Sequence, residues 1–260
     1  MELQRQLPAI RAEGLGLAAI SYDSRETLAA FSAKHGIAFP LLSDPGSRTI
    51  RRWGILNAQA EGPAAGIPHP GTFVINARGR VVSRAFEPEY QVRQTAASQL
   101  AAARTAAQSP PVLKPAMRPA TREGRQLSVT TSQTDVTAAP GTKVSLLVDV
   151  FPKPKMHVYA PEQTGGYIRV ELVLDDDAGV TEAKPVFPAA SDYYFDPLKE
   201  TFKVFDAPFR IRQDVTIALT PALRARAAAR ETLTLTGTLR YQACDDQVCY
   251  RPDQVAVSWS

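Results

Sequence analysis

The chain has 260 residues, 44% hydrophobic and 22% charged, which argues against wholesale disorder and leaves room for one or two domains. Two cysteines and three histidines argue against a disulfide-stapled miniature scaffold and against a multi-histidine metal centre, so no metal or cofactor is expected. The net charge of +4 is split: residues 1–109 carry 12 Lys/Arg against 8 Asp/Glu, residues 110–125 carry 4 against 1, and residues 126–260 carry 14 against 17. The basic residues are scattered rather than gathered on one face with aromatics, so no nucleic-acid partner is expected. Apolar runs such as Leu15–Ile20 are far shorter than the roughly 20 residues that span a bilayer, and no direct membrane span is expected. The polar start from Met1 to Gln6 is unlike a signal peptide, so none is expected within these residues.

In chain order, Leu3, Leu7 and Ile10 recur at helical spacing and Gly14 ends that helix. Leu15 to Ser21 reads as a buried strand. Asp23 or Ser24 can cap a second helix that stops at Gly36. Phe39 to Leu42 is a short strand, Ser43 to Gly46 a turn, and Ser47 to Trp53 a short helix. Thr72–Asn76 and Arg80–Arg84 form a hairpin across Ala77-Arg78-Gly79. A last helix is predicted from about Pro88 to Ala107. This order predicts an α/β domain over residues 1–109. Four prolines between Pro110 and Pro119 cannot sit in a helix or a central strand, so residues 110–125 read as an extended linker. Residues 126–260 alternate with period 2, as in Lys143–Val150, Ile168–Leu174 and Thr232–Tyr241. Apart from a helix over Pro221–Arg230, they predict an all-β antiparallel, immunoglobulin-like sandwich.

Two resemblances follow from particular runs. Ala18–Ser24, Phe39–Pro45 and above all His69-Pro70-Gly71-Thr72-Phe73-Val74-Ile75-Asn76-Ala77-Arg78-Gly79-Arg80-Val81 resemble a thioredoxin-fold protein of the peroxiredoxin (AhpC/TSA, redoxin) type. The resemblance places Pro70 at the position of that family's usually cis proline. It also implies a strand and a cysteine-bearing loop ahead of the first helix, which this sequence lacks; residues 1–243 hold no cysteine at all. The expectation is a truncated domain whose full product begins upstream of Met1. The second run is Tyr241-Gln242-Ala243-Cys244-Asp245-Asp246-Gln247-Val248-Cys249-Tyr250-Arg251-Pro252, supported by Met156–Pro161 and Asp192–Phe195. It resembles the N-terminal periplasmic domain of the thiol:disulfide interchange protein DsbD. That likeness implies a redox-active Cys244–Cys249 pair, an aromatic cap drawn from Tyr193, Tyr194 and Phe195, and Tyr159 and His157 beside the cysteines. It implies partners among thioredoxin-like redox proteins or a membrane-embedded electron donor, and a periplasmic location.

Read from the residues alone, Cys244 and Cys249 flank a four-residue turn, and a hairpin there brings them within disulfide range. A structural staple and a redox pair fit that spacing equally. No helix N-terminus points at these thiols, and Asp245 and Asp246 would raise a thiol pKa, which suits a relay that depends on a docked partner's more reactive cysteine. Tyr159 reads otherwise as a half-buried aromatic and His157 as a surface strand residue, two apart and so on one face. The leading expectation is electron relay between protein dithiols and disulfides. The alternatives are a peroxiredoxin-type antioxidant whose nucleophile lies upstream, or a non-catalytic binding module with a structural disulfide.

Overall fold

A computed structural model describes residues 2–86, 92–106, 120–177, 179–196 and 198–260. The chain divides into two compact units, residues 1–100 and 101–260.

The first unit opens with the helix Glu2–Ala12, which buries Leu7 and Ile10 and ends ahead of Gly14 at φ 73°, a conformation that only glycine adopts without cost. A βαβ segment follows. The strands Ala19–Ser21 and Leu41–Ser43 pair in parallel around the helix Arg25–His35. Local chemistry sets both ends of that helix: the Ser24 hydroxyl accepts from the Thr27 N–H, and Gly36 closes it in the left-handed region. The buried Asp44 carboxylate accepts the N–H groups of Arg48, Thr49 and Ile50 at 3.1, 2.9 and 3.0 Å. It thereby starts the short helix Arg48–Arg52. The strands Gly71–Ile75 and Val81–Phe86 form the expected antiparallel hairpin, and the Asn76 side chain accepts from the Arg78 and Arg80 N–H groups across its turn.

Three expectations need correction. The His69–Pro70 bond is trans, since no cis peptide occurs among the described residues; trans is the form proline keeps unless packing imposes the other. The predicted helix from Pro88 begins only at Ala96, because Thr95 supplies a cap there, its hydroxyl accepting from the Ser98 N–H at 3.0 Å; Arg93–Gln94 is extended, and residues 87–91 lie outside the described residues. The predicted linker is also shorter at its far end. Residues 107–119 lie outside the described residues, but Ala120–Glu123 is already a strand, paired with Leu127–Gln133.

The second unit holds antiparallel sheets, two of which share a large core, with a smaller aromatic cluster around Tyr159, Phe202 and Cys244. One sheet runs in the order Val180–Glu182, Phe209–Ile217, Thr142–Pro152, Leu127–Gln133, Ala120–Glu123; another runs Glu171–Leu174, Leu235–Tyr241, Asp253–Trp259. Alternate residues of both face inward. Val129, Val148, Val150 and Ile211 from the first meet Leu172, Leu239, Tyr241 and Val257 from the second, which is the period-2 pattern made physical. Close packing fixes one glycine: a Cβ on Gly237 would stand 2.5 Å from the Val173 carbonyl oxygen. A further sheet, in the order Ser191–Phe195, Glu200–Phe205, His157–Tyr159, Ala243–Cys244, carries Cys244 at its edge.

Candidate redox site

Ala243 and Cys244 continue from the core strand Leu235–Tyr241 and pair with Val158 and His157. The chain then turns back sharply. Asp245 donates its N–H to the Val248 carbonyl and Tyr250 donates to that of Ala243. The Asp245 carboxylate organises this turn, accepting the Gln247 and Val248 N–H groups at 2.8 Å each and the Tyr250 hydroxyl at 2.8 Å. Those donors hold its pKa below the ordinary carboxylate range. The turn places Cys249 opposite Cys244, and the two are joined as a disulfide. The ends of the bridge differ in exposure: Cys244 is buried at 2%, whereas Cys249 is exposed.

The bridge lines an open cavity of about 230 Å³, walled by Tyr159, Tyr167, Tyr193, Phe195, Leu198 and Phe202. Tyr159 is buried, and its hydroxyl lies 3.5 Å from both sulfurs. Disulfide sulfurs carry no proton, so the hydroxyl is the donor. Burial, with the nearby Tyr167 and Glu200, raises the pKa of Tyr159, so this donor keeps its proton through the physiological range. His157, expected at the surface, is buried at 4% because the Tyr193 ring packs 4.5 Å from it. Burial lowers its pKa, partly offset by Asp206 and Asp245, and so favours the neutral ring.

The aromatic run lies on the strand Ser191–Phe195, paired with Glu200–Phe205. Strand alternation therefore sorts it. Tyr193 and Phe195 face the cavity, while Tyr194 is 55% exposed on the other face and does not line it. Pro70 belongs to the other unit and is not part of this cavity. The sequence reading missed Tyr167 and Phe202, whose rings stand 4.8 and 5.7 Å from that of Tyr159. For Phe202 a signal existed: apolar residues at 202 and 204 alternate with Thr201 and Lys203. Among the described residues no group of three His, Cys, Asp or Glu side chains stands close enough to hold a metal.

A family model for the thiol:disulfide interchange protein DsbD, N-terminal, matches residues 125–259, more than half of the chain. The chain belongs to the DsbD N-terminal family. Residues 1–84 match the AhpC/TSA family. Over 83 residues the chain is 35% identical to the peroxiredoxin-like proteins MT2597 and Rv2521 of two Mycobacterium tuberculosis strains, a stretch that is 32% of this chain and 50% of each relative. The chain thus spans about half the length of these relatives. Among solved structures, the N-terminal periplasmic domain of ScsB from Proteus mirabilis aligns with 54% of this chain and 49% of its own, at 13% identity and a TM-score of 0.37. The DsbD N-terminal region and the thioredoxin-like AhpC/TSA region both point to thiol–disulfide redox function. No helix among the described residues is long and apolar enough to cross a membrane.

Proposed function

We propose that residues 126–260 form an immunoglobulin-like thiol–disulfide exchange module that relays electron pairs between protein dithiols and disulfides through Cys244 and Cys249. The observation that carries this reading is the position of the bridge. A purely structural staple would gain from burial of both cysteines in the core; here Cys249 is an exposed residue lining an aromatic cavity. The bridge also closes so short a loop that it contributes only about 2 kcal/mol of chain-entropy stabilisation, little for a sandwich with this core.

In the exchange, an incoming partner thiolate attacks the Sγ of the exposed residue Cys249. The Cys249–Cys244 bond breaks, the partner's sulfur bonds to Cys249, and the electron pair leaves on Cys244 Sγ as a thiolate. Tyr159 donates its hydroxyl hydrogen to that thiolate, a charge-assisted bond stronger than the one to the neutral disulfide. A second thiolate of the partner then attacks its own sulfur in the mixed disulfide and leaves as the oxidised partner, and the module holds two reduced cysteines. The reverse sequence passes the pair to an acceptor disulfide. Tyr193 and Phe195 cap the bridge until a partner displaces them. The partners are of two kinds, thioredoxin-like redox proteins and a membrane-embedded donor, and the compartment is an oxidising one such as the periplasm.

Trapping tests this reading. Cys244→Ser, with Cys249 left free, should accumulate a mixed disulfide with a thioredoxin-like protein whose second cysteine is replaced and whose first is activated by a thionitrobenzoate leaving group, visible as a reducible adduct by mass spectrometry. Cys249→Ser should trap little, its remaining thiol being buried. The wild-type bridge should show a reduction potential less negative than about −300 mV, the range of resistant structural disulfides. Absence of adduct together with a more negative potential would return the bridge to the role of a staple.

A further inference from the structure

The segment between Gln163 and Val170 is pinned at both ends. The buried Gln163 side chain accepts the Lys203 N–H at 2.7 Å, and the Val170 N–H donates to the Tyr159 carbonyl at 2.8 Å. Between them Thr164, Gly165, Gly166, Ile168 and Arg169 are exposed, and Tyr167 is the one half-buried residue. Its ring lies 4.8 Å from that of Tyr159 and 5.0 Å from that of Phe202. It forms a wall of the disulfide cavity and also lines a more open cavity of about 620 Å³. The ring therefore has somewhere to go. Gly165, at φ 93°, and Gly166 precede it, and such a pair absorbs backbone rotation that other residues resist. The Tyr167 hydroxyl donates to the Glu200 carboxylate at 3.1 Å. Glu200 sits directly across the strand pair from Phe195, at the tip of the capping hairpin.

We propose that Tyr167 is a second leaf of the gate over the Cys244–Cys249 bridge, coupled to the hairpin leaf through its hydrogen bond to Glu200. Resting on the exchange function proposed above, the inference adds how access is regulated. A partner that pushes the Phe195 end of the hairpin outward carries Glu200 with it, releases Tyr167, and lets its ring swing on the glycine pair into the neighbouring cavity. Both leaves border the same cavity beside the bridge, so full access to it moves both.

The experiment uses the full chain and dithiothreitol, following bridge reduction by quenched alkylation. Tyr167→Phe keeps the ring and removes the latch, and should speed reduction about two- to tenfold, the factor that one net hydrogen bond commands. Glu200→Gln keeps an acceptor oxygen and should stay near the wild-type rate, whereas Glu200→Ala should match Tyr167→Phe. Hydrogen exchange read by mass spectrometry should rise in Tyr167→Phe over both residues 164–169 and residues 198–202. An unchanged reduction rate in Tyr167→Phe, or a rise in exchange confined to residues 164–169, overturns the coupled gate. No protein partner enters this assay, so failure of the exchange function would instead show in the trapping test.

Discussion

His157 ties the redox site to pH. Its burial lowers its pKa below the ordinary 6.5, so the folded chain holds it neutral where the unfolded chain takes up a proton. The stability this supplies is complete above pH 6.5 and declines as pH falls towards the lower folded value. The urea midpoint of the second unit should therefore drop between about pH 7.5 and 5, and His157→Gln should flatten that part of the profile. An equal slope in both proteins would show that other groups set it. The identity of His157 as a neighbour of Cys244 was legible in the sequence only through the resemblance. Its burial was not, because the Tyr193 ring that covers it comes from a strand 36 positions later in the numbering.

Elements divide into those set by neighbouring residues and those set by distant ones. The helix Arg25–His35 begins and ends on Ser24 and Gly36, local chemistry that the sequence displays. The short strand Ala19–Ser21, predicted to begin at Leu15, is set by its partner Leu41–Ser43, which local pattern does not reveal. The aromatic run shows both limits: alternation says that Tyr193, Tyr194 and Phe195 cannot all face one way, but only the pairing with Glu200–Phe205 says which way. Tyr167 escaped notice because its partners, Tyr159, Glu200 and Phe202, meet it only through sheet register. In the core sheet Gly237 has a sharper role than composition suggests. With Val173 O only 2.5 Å from any added Cβ, Gly237→Ala should force the strands Glu171–Leu174 and Leu235–Tyr241 apart. It should cost on the order of 2 kcal/mol, the usual range for overpacking, read as a lowered midpoint in chemical denaturation. An alanine variant of wild-type stability would mean that the strands yield freely at this point.

At the scale of the molecule, all exchange chemistry in this chain is assigned to one end of the second unit. The first unit holds no cysteine, so Cys244→Ser/Cys249→Ser should abolish thiol exchange by the whole chain while its βαβ segment and hairpin persist. A relay must also keep its shape in both redox states. Reduction should lower the stability of the second unit by only about 2 kcal/mol, the entropy of so small a loop, and should leave its circular dichroism unchanged. Thermal melts with and without reductant measure this. Loss of the sheet signal on reduction would mark the bridge as structural and count against cycling.

The unequal exposure of the two cysteines has a kinetic reading. With Cys249 alone accessible, donor and acceptor compete for a single berth and must call in turn. Steady-state turnover with both partners should follow double-displacement kinetics, giving parallel lines when reciprocal rate is plotted against reciprocal concentration of either one. Each partner in excess should inhibit the other by occupying the berth in the wrong redox state. Traffic through the module then depends on the ratio of the two partners more than on the amount of either, so flow would slow whenever one of them greatly outnumbers the other.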